Sequence, residues 1–154
     1  LIPAMGCTEP IALAYAAAKA REALGSLPDK VTIEASGSII KNVKSVIVPN
    51  TNHMKGIPAS AAAGIIAGKP EKELEVIAEV TEEQIKEMKE FLATRTIEVR
   101  HVDNGFTFEI GVRVSKGSDY AKVRIVNYHT NIVLIEKNGK SCLRKKWMGK
   151  RNRD

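Results

Sequence analysis

The sequence predicts an α+β domain of two layers, a mostly antiparallel sheet covered on one face by alanine-rich helices. Three observations predict it. Up to about Ala93 the apolar residues recur mainly at helical spacing, from Thr96 the period changes to two, and hairpin-type turns divide that second half into strands. A sheet built this way has an apolar face to bury, and the alanine-rich helices are the available cover.

The first helix follows from its punctuation. Thr8 is a plausible N-cap, Pro10 suits a first turn, and the alanine-rich run to Ala23 is closed by Gly25 and Pro28. Val31 to Ala35 alternates apolar and polar residues, as a half-buried strand does. Ile39, Ile40, Val43 and Val46 recur at helical spacing, although their β-branched content leaves a strand open. After the loop Val48-Pro49-Asn50-Thr51-Asn52-His53, a helix is expected from about Pro58 to Ala67, ended by Gly68 and Pro70. Another runs from about Glu71 through Ala78. Thr81 and Gln84 form a capping box for the last, which ends near Ala93.

Strands are expected over 96–102, 106–114, 120–127 and 131–136. They are separated by Asp103-Asn104-Gly105, Lys116-Gly117-Ser118 and Asn127 to Thr130. Four sequential strands with such links imply an antiparallel meander. The domain is expected over residues 1–140; residues 141–154 change composition abruptly after Asn138-Gly139 and show neither period, so they are expected to be disordered or artefactual, as a basic arm or the product of a shifted reading frame.

With 154 residues, 44% of them hydrophobic and 27% charged, the chain suits one globular domain with a core of its own. No apolar run approaches the length that spans a bilayer, and no leader-like segment opens the chain, so a cytoplasmic location and no membrane partner are expected. Cys7 and Cys142 alone do not indicate a disulfide framework. The net charge of +6 is concentrated: residues 141–154 hold six of the 24 basic residues and one of the 18 acidic ones, which leaves 18 against 17 in residues 1–140. A nearly neutral body with 5% aromatic residues argues against nucleic acid as a partner.

Chemistry is expected at two places. Cys7 sits at the mouth of the first helix, where free N–H groups and the positive end of the dipole favour a thiolate. A metal ligand or a reactive base could result, and so could a small buried residue beside a capped helix. Asn50, Thr51, Asn52, His53 and Lys55 fall within six positions, directly before a helix N-terminus, and such a loop could hold a carboxylate; a solvated polar turn is the plain alternative. His101 and His129 sit at strand ends, where surface or packing roles are usual. The acidic residues from Glu71 to Glu90 read as solvated helix faces.

The run GCTEPIALAYAAAKA, preceded by Ile2-Pro3-Ala4, resembles the start of the L-cysteine desulfidase and serine dehydratase-like proteins, bacterial members of which are catalogued as an uncharacterised family. The likeness continues through IIKNVKSVIVPNT, KGIPASAAAGIIAG and HTNIVLIEKNG and covers essentially residues 1–140. The resemblance implies the N-terminal portion of an oxygen-sensitive lyase that removes sulfide from L-cysteine or water from L-serine, giving pyruvate and ammonia. It also implies a [4Fe–4S] cluster in the longer protein, with Cys7 as one ligand or as a direct participant in catalysis. Cys142 takes no role from the resemblance.

The other ligands would lie in a C-terminal helical region of the same protein, which would be this chain's partner. The isolated chain, with one such cysteine, is expected to hold no cluster and to be inactive. Thr8, Asn50, Thr51, Asn52, His53 and Lys55 are the expected contacts to a small L-amino acid. Self-association is expected too, because a partial chain exposes apolar surface. A non-catalytic amino-acid-binding or regulatory domain would use the same carboxylate pocket.

Overall fold

A computed structural model describes residues 8–44, 48, 51, 54–71, 76–78, 80–106, 108–127 and 132–144. The side chains of Thr8 and of 141–144 are outside that description. Among the described residues, four helices, α1 (Thr8–Leu24), α2 (Gly37–Val43), α3 (Gly56–Ala67) and α4 (Glu82–Thr94), accompany six strands. These are β1 (Lys30–Ala35), β2 (Thr96–His101), β3 (Glu109–Lys116), β4 (Asp119–Val126), β5 (Ile132–Lys137) and β6 (Lys140–Arg144). The sheet order is β2-β1-β3-β4-β5-β6, and only the β1/β2 pair is parallel. The α+β class, with helices packed on a mostly antiparallel sheet, is the one expected.

Alternation along the strands decides which face the helices cover. Val31, Ile33 and Ala35 of β1, Ile110, Val112 and Val114 of β3, and Ala121, Val123 and Ile125 of β4 have no exposed surface. α1 lies across β3, β4 and β5 on this face. Its run from Ala12 to Ala18 is buried all round, because α3 packs against the side turned away from the sheet. Alanine suits a helix gripped from two sides, since it lets backbones approach at little cost in side-chain entropy. α4 in turn lies on α3 and anchors itself by Met88 and Phe91, one helical turn apart and each buried. Each such burial contributes about 1.5–3 kcal/mol.

The capping box forms as the residues require: the Gln84 N–H donates to Thr81 Oγ1 at 3.1 Å, and the Thr81 N–H donates to Gln84 Oε1 at 2.9 Å. The segment Gly37–Val43, whose β-branched residues suit helix or strand, is the helix α2. The helix expected over 71–78 does not appear among the described residues there, which form a short 3₁₀ turn at Pro70–Glu71 and a turn at 76–78; residues 72–75 lie outside the description.

Two expectations about the sheet are corrected. The four late strands are not one meander, because β1 lies between β2 and β3. The link from Val102 to Phe108 is too long for a tight hairpin, and both its ends bond to the end of β1. The Val102 N–H donates to the Ala35 carbonyl at 3.0 Å, while the Ser36 N–H donates to the Glu109 carbonyl at 3.0 Å. The sheet also does not stop at residue 140. Asn138 and Gly139, with φ of 51° and 86°, make the left-handed turn that joins β5 to β6, which carries the sheet to Arg144.

Candidate functional site

The relation between α1 and α3 is fixed by two glycines. A Cβ on Gly64 would lie 2.0 Å from the Ala14 carbonyl oxygen, and one on Gly68 would lie 2.7 Å from the Ala18 Cβ. The partners advance together, 14 with 64 and 18 with 68, so the helices run parallel at close range. Their C-terminal ends are therefore also together, and there the Arg21 guanidinium donates to the Ile65 carbonyl at 2.7 Å, one of the acceptors that a helix end leaves unpaired. At the opposite end, counting back six residues from 14 and 64 puts Thr8, the start of α1, level with Pro58 in the first turn of α3.

The sheet adds its own strand ends to that place. Lys137 Nζ donates to the Leu24 carbonyl at 3.2 Å, so α1 finishes where β5 finishes. The start of α1 consequently lies toward the other edge, where β1 and β4 end and β3 and β5 begin. Two positive helix ends brought side by side favour an anion, each by about 0.3–1 kcal/mol at an exposed site.

Of the expected contact residues, Thr8 opens α1, while Cys7, Asn50, Asn52 and His53 lie outside the described residues. Thr51 is fully buried and its hydroxyl donates to the Val48 carbonyl at 2.7 Å. The Val48 N–H in turn donates to the Met54 carbonyl at 2.8 Å, so Thr51 shapes a closed loop. Lys55 is exposed and is the N-cap of α3, with no side-chain capping bond. Gly56 follows at φ +91°, a conformation that glycine takes without strain. The structure thus brings the starts of α1 and α3, with Lys55 and Gly56, to one end of a helix pair. His101 is exposed at the end of β2, beside the end of β1, where it lines a shallow pocket with Gly37, Ile40, Lys41 and Lys44.

A second polar assembly lies beyond those expectations. On the sheet face away from α1, Arg124 donates to Glu109 and, at 3.3 Å, to Glu34. Glu109 is fully buried, and its two carboxylate oxygens also accept from Asn104 Nδ2 at 3.1 and 2.9 Å. Gly111 makes room for the crossing, since a Cβ there would lie 3.4 Å from Glu34 Oε1 and 3.9 Å from Arg124 Cζ. On β2, Arg100 donates to both oxygens of Glu98 and holds its carboxyl below the ordinary range. Each charge is visible in the alternation of its own strand. Their meeting depends on a register that no single strand contains.

Comparison with known proteins gives a consistent relation. The chain is 56% identical over 139 residues to a UPF0597 protein of Desulfitobacterium hafniense, covering 90% of this chain and 32% of that protein. It is 50% identical over 139 residues to a UPF0597 protein of Lachnoclostridium phytofermentans, with 90% and 33% covered. A UPF0597 protein of Treponema denticola is 49% identical over 138 residues, with 90% and 32% covered. The chain spans about a third of the length of these curated relatives. No protein-family model and no solved structure matches it. These relatives overturn the expected assignment to the N-terminal portion of an L-cysteine desulfidase or serine dehydratase-like protein: the proteins it resembles are named UPF0597 proteins, and that name states no activity.

Proposed function

We propose that this chain holds the carboxylate of a small L-amino acid, L-cysteine or L-serine, for a cytoplasmic lyase that eliminates the β-substituent and yields pyruvate and ammonia. The observation that supports this reading is the parallel packing of α1 and α3, which brings two helix N-termini to one end. A carboxylate there would accept from backbone N–H groups and neutralise two like-oriented dipoles. Lys55, exposed at the start of α3, supplies a cation for the same anion. Cys7 directly precedes α1 in sequence, where a helix end stabilises the thiolate over the thiol. Removal of an α-proton is the step such a base would serve.

An iron–sulfur cluster needs three or four thiolates, and the chain has two cysteines. Among the described residues no three His, Cys, Asp or Glu side chains converge. The residues present do not fit that group, and no step of the proposal passes through it. Among the described residues no helix is long and apolar enough to cross a membrane.

The test joins binding and turnover. L-serine and L-cysteine are titrated calorimetrically into this chain, and pyruvate is assayed anaerobically, after incubation with iron and sulfide, in the longer protein that the lyase reading requires, with Cys7→Ala alongside in both. Pyruvate that disappears in the variant supports the lyase. Saturable binding without pyruvate favours the non-catalytic amino-acid-binding domain, and absence of both overturns the carboxylate site.

A further inference from the structure

The sheet face away from the helices carries a groove of about 320 Å³ lined by Lys30, Thr32, Glu34, Arg100, Gly111, Arg113, Ser115 and Lys122. Among the described side chains, the charged groups on this face are Lys30, Arg100, Arg113, Lys122 and Arg124 against Glu34, Glu98, Glu109 and Glu136, nearly balanced in number. They are not balanced in place. Glu98 is taken by Arg100, and Glu34 and Glu109 are taken by Arg124. Glu136 stands opposite Lys122 in the β4/β5 register, yet its carboxylate accepts from the Tyr120 hydroxyl at 2.7 Å.

Arg113 and Lys122 are left without an ion-pair partner among the described residues, Lys30 acts on Glu98 only through space, and Arg113 stands directly opposite Lys122 across β3 and β4. Like charges so placed destabilise a sheet. Arg113 lies over the Tyr120 ring, 4.3 Å from its centroid, a stacking that fixes the guanidinium plane and leaves its edge N–H groups to face an acceptor. Between these cations the floor is small and polar, made by Thr32, Gly111 and Ser115.

The geometry points to a binding site in this groove for a small polyanion with adjacent phosphate or carboxylate groups. Neighbouring strands are about 4.8 Å apart and a strand rises about 3.4 Å per residue, so Arg113 and Lys122 stand about 5 Å apart and Lys30, two residues off their register, lies within about 12 Å, a span that long side chains can close around two or three linked anionic groups. Strands hold them more rigidly than loops would. The volume suits a small molecule and not a polymer. This site lies on the opposite face of the sheet from α1 and does not depend on the amino-acid reading.

Amide NMR spectra of the whole chain, titrated at constant ionic strength with pyrophosphate and separately with citrate, test it. Saturable shifts at Thr32, Gly111 and Ser115 are expected with at least one of them, and the stronger of the two names the anionic group. Lys122→Glu weakens that binding about tenfold or more, with Lys122→Gln between it and the parent. Silence toward both anions, equal affinity in Lys122→Glu, or shifts confined to residues 141–154 overturns the site.

Discussion

Gly64 of α3 lies so close to Ala14 of α1 that the backbone of one helix occupies the space where the other would carry a side chain. The parallel arrangement, and with it the meeting of two helix N-termini, depends on that absent methyl. Gly64→Ala gains about 1 kcal/mol of helix propensity but forces a contact of 2.0 Å with a backbone oxygen, which no rotamer change relieves. A net loss of about 2 kcal/mol is expected in urea unfolding, since overpacking in a tight core costs up to about 3 kcal/mol and backbone contacts yield least. If L-serine binding is measurable in the parent, it weakens as well. An unchanged midpoint would mean that the helices are not packed this closely.

The buried ion cluster predicts an asymmetry between single and paired substitutions. Glu109 has no exposed surface, so Arg124→Leu strands a carboxylate whose other partner is the amide of Asn104, and a loss of about 3–5 kcal/mol is expected. Glu109→Leu together with Arg124→Leu removes both desolvated charges and recovers most of that loss, with Glu34 left free to reach water. Chemical denaturation of the singles and the double, treated as a cycle, measures the coupling. Additive losses would deny that the two side chains interact.

Local chemistry makes most elements legible in the sequence alone. The capping box at Thr81 and Gln84, the closure of α3 by Gly68, and the left-handed turn at Asn138-Gly139 are each decided within a few residues. Pairing is what the sequence does not disclose. Nothing local to Thr96–His101 says that it lies parallel to β1, because that choice is made by α3 and α4 lying between them in the chain. The spacing of Gly64 and Gly68 is in plain view without its partners Ala14 and Ala18. Glu109 reads as an outward polar residue of an alternating strand, and only the β3/β4 register brings Arg124 over it. The helices that follow the two motifs expected to carry chemistry are recognisable individually; that α1 and α3 begin at one end of a helix pair is a tertiary fact.

Tyr120 gives a pH signature. Its hydroxyl donates to Glu136, and this bond, with burial and the negative charge of Glu136 acting the same way, raises its pKa above the ordinary value near 10. The protonated phenol is the form the fold favours. Its contribution is therefore complete below the unfolded-state pKa, and is lost as pH rises through the higher folded-state value. Ultraviolet titration of phenolate should include a component that ionises above the ordinary range, and Tyr120→Phe should remove that component. Stability of the variant should differ from the parent's at neutral pH and converge with it in alkali. A titration unchanged by the substitution would dissolve the Tyr120–Glu136 bond.

Lys122 separates stability from binding. It faces Arg113 across the ladder, while Glu136, its other neighbour in register, is engaged by Tyr120. Lys122→Glu converts a like-charge pair into an opposite-charge one, and cross-strand pairs of this kind differ by about 0.2–1 kcal/mol. The new carboxylate also faces Glu136, which offsets part of the gain, and salt screens both effects. The variant is therefore expected to melt at or slightly above the parent's temperature in low salt, with the difference shrinking as salt is added. A polyanion should stabilise the parent by mass action and leave the variant where it was. Had the lysine served the fold, its replacement would instead lower the melting temperature with no ligand present, and Lys122 would count as a structural residue and not as a cation held for a ligand.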